Sequence, residues 1–261
     1  MCLILIAHQM TEQMPLLVLA NRDEFYARPT AAAERWDETP GMIAGRDLVS
    51  GGTWFGAHND RWATVTNIRE GVRDRENHSS KSRGWLVRDY LQGPLSPADF
   101  LASIKVISDD FAGYNLLLGD GQELWYSSNR QATSKRLQPG VYGLSNHLLD
   151  TPWPKVVRGT EGLKKLFNNS PFSHEAAFAL LTNTIRAADL ELPETGVPLV
   201  WERALSAIFV AMPKYGTRCS TILTTDSEGC HRFVERRFTD GTESWEISEF
   251  AWEAWASSLD R

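Results

Sequence analysis

The chain has 261 residues, 42% of them hydrophobic, enough to bury a sizeable core and to exclude disordered, collagen-like and low-complexity classes. Its 27 basic against 33 acidic side chains leave a net charge of −6, with no cationic excess to drive binding to nucleic acid or an anionic membrane. Three cysteines are too few for a disulfide scaffold, and the opening segment has neither a basic leader nor a membrane-length apolar stretch; a cytoplasmic protein without integral membrane association is expected.

In chain order, residues 3–8 and 16–20 are strand-length apolar runs separated by a polar stretch that ends in Pro15. Asn21-Arg22-Asp23-Glu24 then cuts off the second run and reads as a turn or strand end. Residues 42–45, 53–56 and 62–67 supply further short β-elements, the first two flanking Gly51-Gly52. From Ser82 the period changes: Trp85, Leu86, Tyr90 and Leu91 recur at helical spacing, and Ser96-Pro97 caps a second helix carrying Phe100, Leu101 and Ile104. Residues 115–118 and 123–127 form a hairpin through a Gly-Asp-Gly-Gln turn, followed by an extended piece at 140–146.

Helices are expected over 155–167, from Ser173 onward, and over 199–210, with a proline-containing loop at 188–198. Residues 221–225 and 231–238 alternate as half-buried strands, and 245–250 adds another before a short terminal helix. Strands and helices alternate too irregularly for βαβ repetition, and no phosphate-binding glycine fingerprint is present. The expected class is therefore α+β with mainly antiparallel sheets, and no linker divides residues 1–261 into more than one domain.

Cys2 carries the most consequential chemistry. Removal of Met1 would place a thiol and a free α-amine on one residue, a nucleophile and a base that meet near neutral pH. Arg22 offers a five-donor fork and Asp23 a carboxylate that can orient a protonated amine, although both could equally satisfy a hairpin's own polar groups. Trp54, in Gly-Gly-Thr-Trp-Phe-Gly, either walls a cleft or closes the core. Ser79 and Ser80 near His78 lack a nucleophile-elbow motif, and neither the acidic residues nor the cysteines have metal-binding spacing, so no metal site is expected. The basic residues between 69 and 88 are interrupted by acids and read as a solvated face.

The start Met1-Cys2, NRDEFYARP at 21–29, GGTWFG at 51–56, Thr66-Asn67, GYNLLL at 113–118, YGLSNHLLDTPWPK at 142–155 and YGTRCSTI at 215–222 together resemble the NRDE family of transport and Golgi organisation 2 proteins. The resemblance implies a four-layer αββα fold of the N-terminal nucleophile hydrolase type. It also implies a catalytic group of Cys2, Arg22 and Asp23, with Asn67 or Asn146 as oxyanion donor. A second class of function comes with it: transient haem binding and haem trafficking between donor and acceptor proteins. For haem, or another amphipathic small molecule, Arg22, Trp54, His147 and Arg218 are the candidate contacts. On this resemblance haem traffic ranks first and amide hydrolysis at Cys2 second, with no obligatory catalytic cofactor.

Overall fold

The computed structural model describes residues 2–69, 81–168, 172–238 and 244–253, except the side chain of Asn168. Among the described residues, thirteen strands fall in two sheets. One sheet holds β1 (Cys2–His8), β2 (Leu16–Phe25), β10 (Gly140–Leu144), β11 (Tyr215–Thr225), β12 (Cys230–Phe238) and β13 (Trp245–Glu253), in the order β10-β1-β2-β11-β12-β13. The other runs in chain order through β3 (Thr30–Arg35), β4 (Ile43–Asp47), β5 (Phe55–His58), β6 (Arg61–Asn67), β7 (Tyr114–Gly119), β8 (Leu124–Ser128) and β9 (Lys135–Arg136). Every neighbouring pair is antiparallel.

Three apolar layers follow from side-chain alternation along these strands. Ile4, Ile6, Val18 and Leu223 of the first sheet meet Ile43, Phe55, Leu117 and Tyr126 of the second, filling the space between the sheets. The opposite face of the first sheet, Leu3, Leu5, Leu17 and Leu19, is covered by α3 (Pro154–Asn168) and α4 (His174–Leu181) through Val156, Leu163, Phe178 and Leu181. On the far side of the second sheet lie α1 (Gly84–Gln92) and α2 (Pro97–Ile104), whose Leu86, Val87, Tyr90 and Leu101 pack on Val65, Leu116 and Leu118. The result is the expected αββα stack. Because the first sheet is covered on both faces, β1 and β2 read as unbroken apolar runs rather than alternating ones. Among the described residues no helix is long and apolar enough to cross a membrane.

Most expected elements are present. Ser96 caps α2 by accepting from the Asp99 amide, and Ser173 caps α4 by accepting from Ala176. One expectation resolves between its alternatives and two differ. Residues 21–25 are the strand end rather than the turn: β2 runs through them to Phe25, and Asn21, Arg22 and Asp23 are buried. The fifth helix, α5 (Leu199–Leu205), stops early. Residues 207–210 instead leave the helix as a bent, buried segment, with the Phe209 amide donating to the Asn183 carbonyl and the Thr217 amide to that of Val210. Finally, β11 begins at Tyr215 and contains a bulge between Thr217 and Cys219. The expected terminal helix, and Ser79, Ser80 and His78, lie outside the described residues.

Candidate active site

Cys2 opens β1, where its Cα partners Arg22 of β2. Both share their strands' parity with Ile4 and Ala20, so they belong to the face between the sheets, whereas Asn21 and Asp23 share the helix-facing parity of Leu19. One tetrapeptide thus serves both faces. Asn21 is structural: its Nδ2 donates to the carbonyls of Leu181 (2.8 Å) and Ile208 (2.9 Å), and its Oδ1 accepts from Ser220 (2.6 Å).

Arg22 lies with its guanidinium carbon 4.2 Å over the Trp54 ring and Nη2 3.7 Å from Asp47. Asp47 also accepts from Arg28 Nε (2.7 Å) and from the amides of Val49 and Ser50. Burial opposes ionisation of Asp47, but the Arg28 and Ser50 hydrogen bonds outweigh it and hold the carboxyl below its ordinary range. These residues, with Cys2, Asn67 and, at its buried back, Asp23, line a cleft of about 520 Å³ open to solvent. The start of α1 forms another part of its wall. Gly52 permits this, because a Cβ there would meet the Gly84 carbonyl carbon at 2.6 Å, while the Thr53 amide donates to the Gly84 carbonyl.

Behind Cys2 sits Asn146, fully buried. Its Oδ1 accepts from the Cys2 backbone nitrogen (3.2 Å) and its Nδ2 donates to the Asn67 carbonyl (2.8 Å). A donor on one side and a carbonyl on the other fix the amide's orientation. Ser145 Oγ donates to the Cys2 carbonyl (3.0 Å), so the backbone of Cys2 is held on both sides. The two asparagines therefore separate in role: Asn146 positions the Cys2 nitrogen, whereas the exposed Asn67 lines the cleft.

Asp23 Oδ1 accepts from Thr217 Oγ1 (2.7 Å), and Oδ2 lies 3.6 Å from Lys155 Nζ. Burial pushes the Asp23 carboxyl up, against the pull of Lys155. In the sequence, Ser145 and Lys155 belong to segments that could frame a pocket and Thr217 to a set of possible hydroxyl contacts, but none is assigned a role at Cys2, and Asp47 carries no signal. Lys155 did carry a signal, because a lysine in the first turn of a helix opposes the macrodipole.

The structure leaves two expected contacts outside the cleft lining. His147 is exposed, its Nδ1 2.9 Å from Thr151 Oγ1 and its ring 6.0 Å from that of Trp153. Arg218 directs Nη1 to the carbonyls of Phe25, Tyr26 and Arg28, clamping the turn after β2. All three cysteines are free thiols. Burial pushes the Cys219 thiol well above the ordinary range, reinforced by Glu235, which makes it a poor nucleophile.

The family model for Transport and Golgi organisation 2 (TANGO2) matches residues 1–240. The chain belongs to this family. The Bos taurus TANGO2 homologue is 32% identical over 241 residues, covering 85% of this chain and 86% of that protein. The Homo sapiens homologue is 31% identical over 256 residues, covering 90% and 91%. Among solved structures, a Caenorhabditis elegans N-acylethanolamine-hydrolyzing acid amidase orthologue superposes with a TM-score of 0.53 at 12% identity, over 85% of this chain and 92% of that one. A variant of the conjugated bile acid hydrolase of Clostridium perfringens gives 0.51 at 8% identity, over 97% and 98%. These likenesses show that the αββα fold of this chain is shared with those two hydrolases.

Proposed function

We propose that this TANGO2-family protein is an N-terminal cysteine amidohydrolase acting on an acyl-amide. The observation that carries the reading is the clamp on Cys2: the nitrogen that becomes the α-amine when Met1 is removed is already held by Asn146, at the edge of an open polar cleft. In this scheme the Cys2 thiol gives its proton to the α-amine while Sγ bonds to the substrate carbonyl carbon. The C–N bond then breaks as the amine passes that proton to the leaving nitrogen. Water next attacks the thioester, one of its protons returning through the amine to sulfur, and the carboxylic acid departs. Asn67 supplies an oxyanion donor from the cleft wall, and Arg22, braced by Trp54 and Asp47, orients the substrate. Of the two structural relatives one is named an acid amidase and the other a hydrolase, which supports the same chemistry.

The test begins with intact-protein mass spectrometry to establish loss of Met1. Wild type and Cys2→Ser are then compared on a panel of acyl-amides with products read by mass. Turnover confined to the processed wild type is expected. Equal turnover by both proteins, or an active population that keeps Met1, rejects Cys2 as the catalyst.

A second reading, transient haem carriage between donor and acceptor proteins, is supported by a different observation. The flat Arg22–Trp54 stack beside Arg28 suits a planar amphipathic ligand with carboxylates. His147 and Arg218 would act from outside that cleft, the former as an exposed axial ligand. Spectral titration with haem, coupled to transfer into an apo-haem acceptor, tests it. Trp54→Ala should weaken binding, and transfer no faster than free-haem exchange removes the reading.

A further inference from the structure

The side chain behind Asp23 is unusual in three ways. Lys155 stands in the first turn of α3, where the helix macrodipole disfavours a cation. Its side chain is only 1% exposed, so the ammonium has lost its water, and a long flexible stem has been fixed in one rotamer. Burial pushes the ammonium down; Asp23 pulls it back up, and Arg69 presses it down further. Local rules broken together at one buried position mark a functional constraint more often than a packing choice.

The groups that face Lys155 come from four directions. Asp23 of β2 lies 3.6 Å away and is itself 0% exposed. Cys2 of β1 acts on it electrostatically, as does Arg69, which follows β6 and is paired at 2.6 Å with Glu202 of α5. From β11, Tyr215 donates its hydroxyl to the Asp23 carbonyl, and Thr217 reaches the carboxylate. Thr217 Oγ1 accepts the Val210 amide (2.9 Å), which directs its own proton to Asp23 Oδ1 and makes that oxygen an acceptor. Asp23 follows Arg22, the cross-strand partner of Cys2, and so stands one position beyond Cys2 on the side of its nitrogen, lining the same cleft.

We propose that Lys155 is a positioning residue of the Cys2 centre, holding Asp23 as a fixed anion beside the α-amine of processed Cys2. The carboxylate favours the ammonium form of that amine and therefore transfer of the thiol proton from sulfur to nitrogen; no other atom is exchanged. The purpose of the pair rests on the amidohydrolase reading, but its measurement needs no substrate.

The experiment uses Met1-free full-length protein, confirmed by intact mass. Two quantities are followed: the infrared carbonyl band of a protonated buried carboxyl, and the rate of Cys2 alkylation by iodoacetamide across pH, read on the N-terminal peptide. Lys155→Met should show a protonated carboxyl at neutral pH that wild type lacks and that Lys155→Met/Asp23→Asn loses. Its Cys2 should alkylate about tenfold more slowly near neutrality, the change that one pKa unit produces. The double variant, a neutral pair of similar volume, should show the same slow alkylation and supplies the reading where the single variant does not fold. A wild-type alkylation profile in either processed variant overturns the proposal, as does a Lys155→Met protein without the new carboxyl band. A processed protein with Lys155-dependent alkylation but no amide turnover would instead sink the hydrolase reading and leave the Lys155–Asp23 device standing.

Discussion

Replacing Asn21 by leucine is expected to destabilise the fold severely while sparing the chemistry at Cys2. The Asn21 side chain is 1% exposed and ties three elements together: β2, the end of α4 through the Leu181 carbonyl, and the 206–210 segment through the Ile208 carbonyl. Its Oδ1 also accepts the Ser220 hydroxyl. Leucine has nearly the same volume, so no large cavity forms, but two carbonyls and one hydroxyl lose their partners inside the protein. At about 1–3 kcal/mol for each of the three orphaned groups, offset by about 2 kcal/mol of added apolar burial, the net loss comes to about 1–7 kcal/mol, centred on about 4 kcal/mol. That is a large part of an ordinary folding free energy of about 5–15 kcal/mol and corresponds to a fall of about 10 °C in melting temperature. Urea unfolding of wild type and Asn21→Leu measures it directly. Asn21→Leu/Ser220→Ala should recover about 1 kcal/mol, because one of the orphans has gone. Because Asn21 lies on the helix-facing side of β2, the folded fraction should alkylate at Cys2 like wild type. A loss below about 1 kcal/mol, at an unchanged m-value, would refute the idea that this asparagine is a staple.

Asn67→Ala should lower kcat by about 10²- to 10³-fold with little change in melting temperature, the scale for one oxyanion donor; retention of full turnover would take Asn67 out of that role. Gly52→Ala should cost about 1–3 kcal/mol, since the new methyl would lie 2.6 Å from the backbone of Gly84, and an unaltered melting curve would contradict that contact. Burial, with Arg136 adding to it, holds the His8 imidazole below its ordinary 6.5. The folded state then binds fewer protons than the unfolded chain as the pH falls through 6.5, so this contribution to stability is present above that pH and lost below it. His8→Asn should flatten the acid limb of a stability–pH curve measured by urea unfolding, and parallel curves for the two proteins would refute the assignment.

The fold was legible wherever period and burial agreed. Residues 3–8 and 16–20 were readable as strands because a sheet covered on both faces demands continuous apolar runs. The helices at 84–92 and 97–104 declared themselves through spacing and the Ser96 cap. Residues 21–25 stayed open between turn and strand end for a definite reason. Consecutive polar side chains resemble a turn only if their partners are unknown, and here the partners of Asn21, Arg22 and Asp23 come from residues 47, 155, 181, 208 and 217, distant in the chain. Residues 207–210 misled in another way: their apolarity serves a bent, buried segment rather than a longer α5.

At the site, residue types were legible but faces were not. Cys2, Arg22, Asp23 and Asn67 were each identifiable from the chain, yet a sequence does not reveal that β2 sends Arg22 toward the cleft and Asn21 toward the helices. That follows only from the register in which Cys2 opposes Arg22. The proposed order of the two functions rests on the same geometry. Haem carriage draws on Arg22 and Trp54, which line the cleft, and on His147 and Arg218, whose polar groups engage Thr151 and three backbone carbonyls outside its lining. Hydrolysis leans on Cys2 and Asn146, which stand 144 positions apart in the chain and meet because β10 pairs with β1. A bond between such distant residues serves the fold only weakly, because the β1–β10 ladder already fixes both strands. What it adds is the placement of one nitrogen, and placement of that nitrogen is what an N-terminal nucleophile requires.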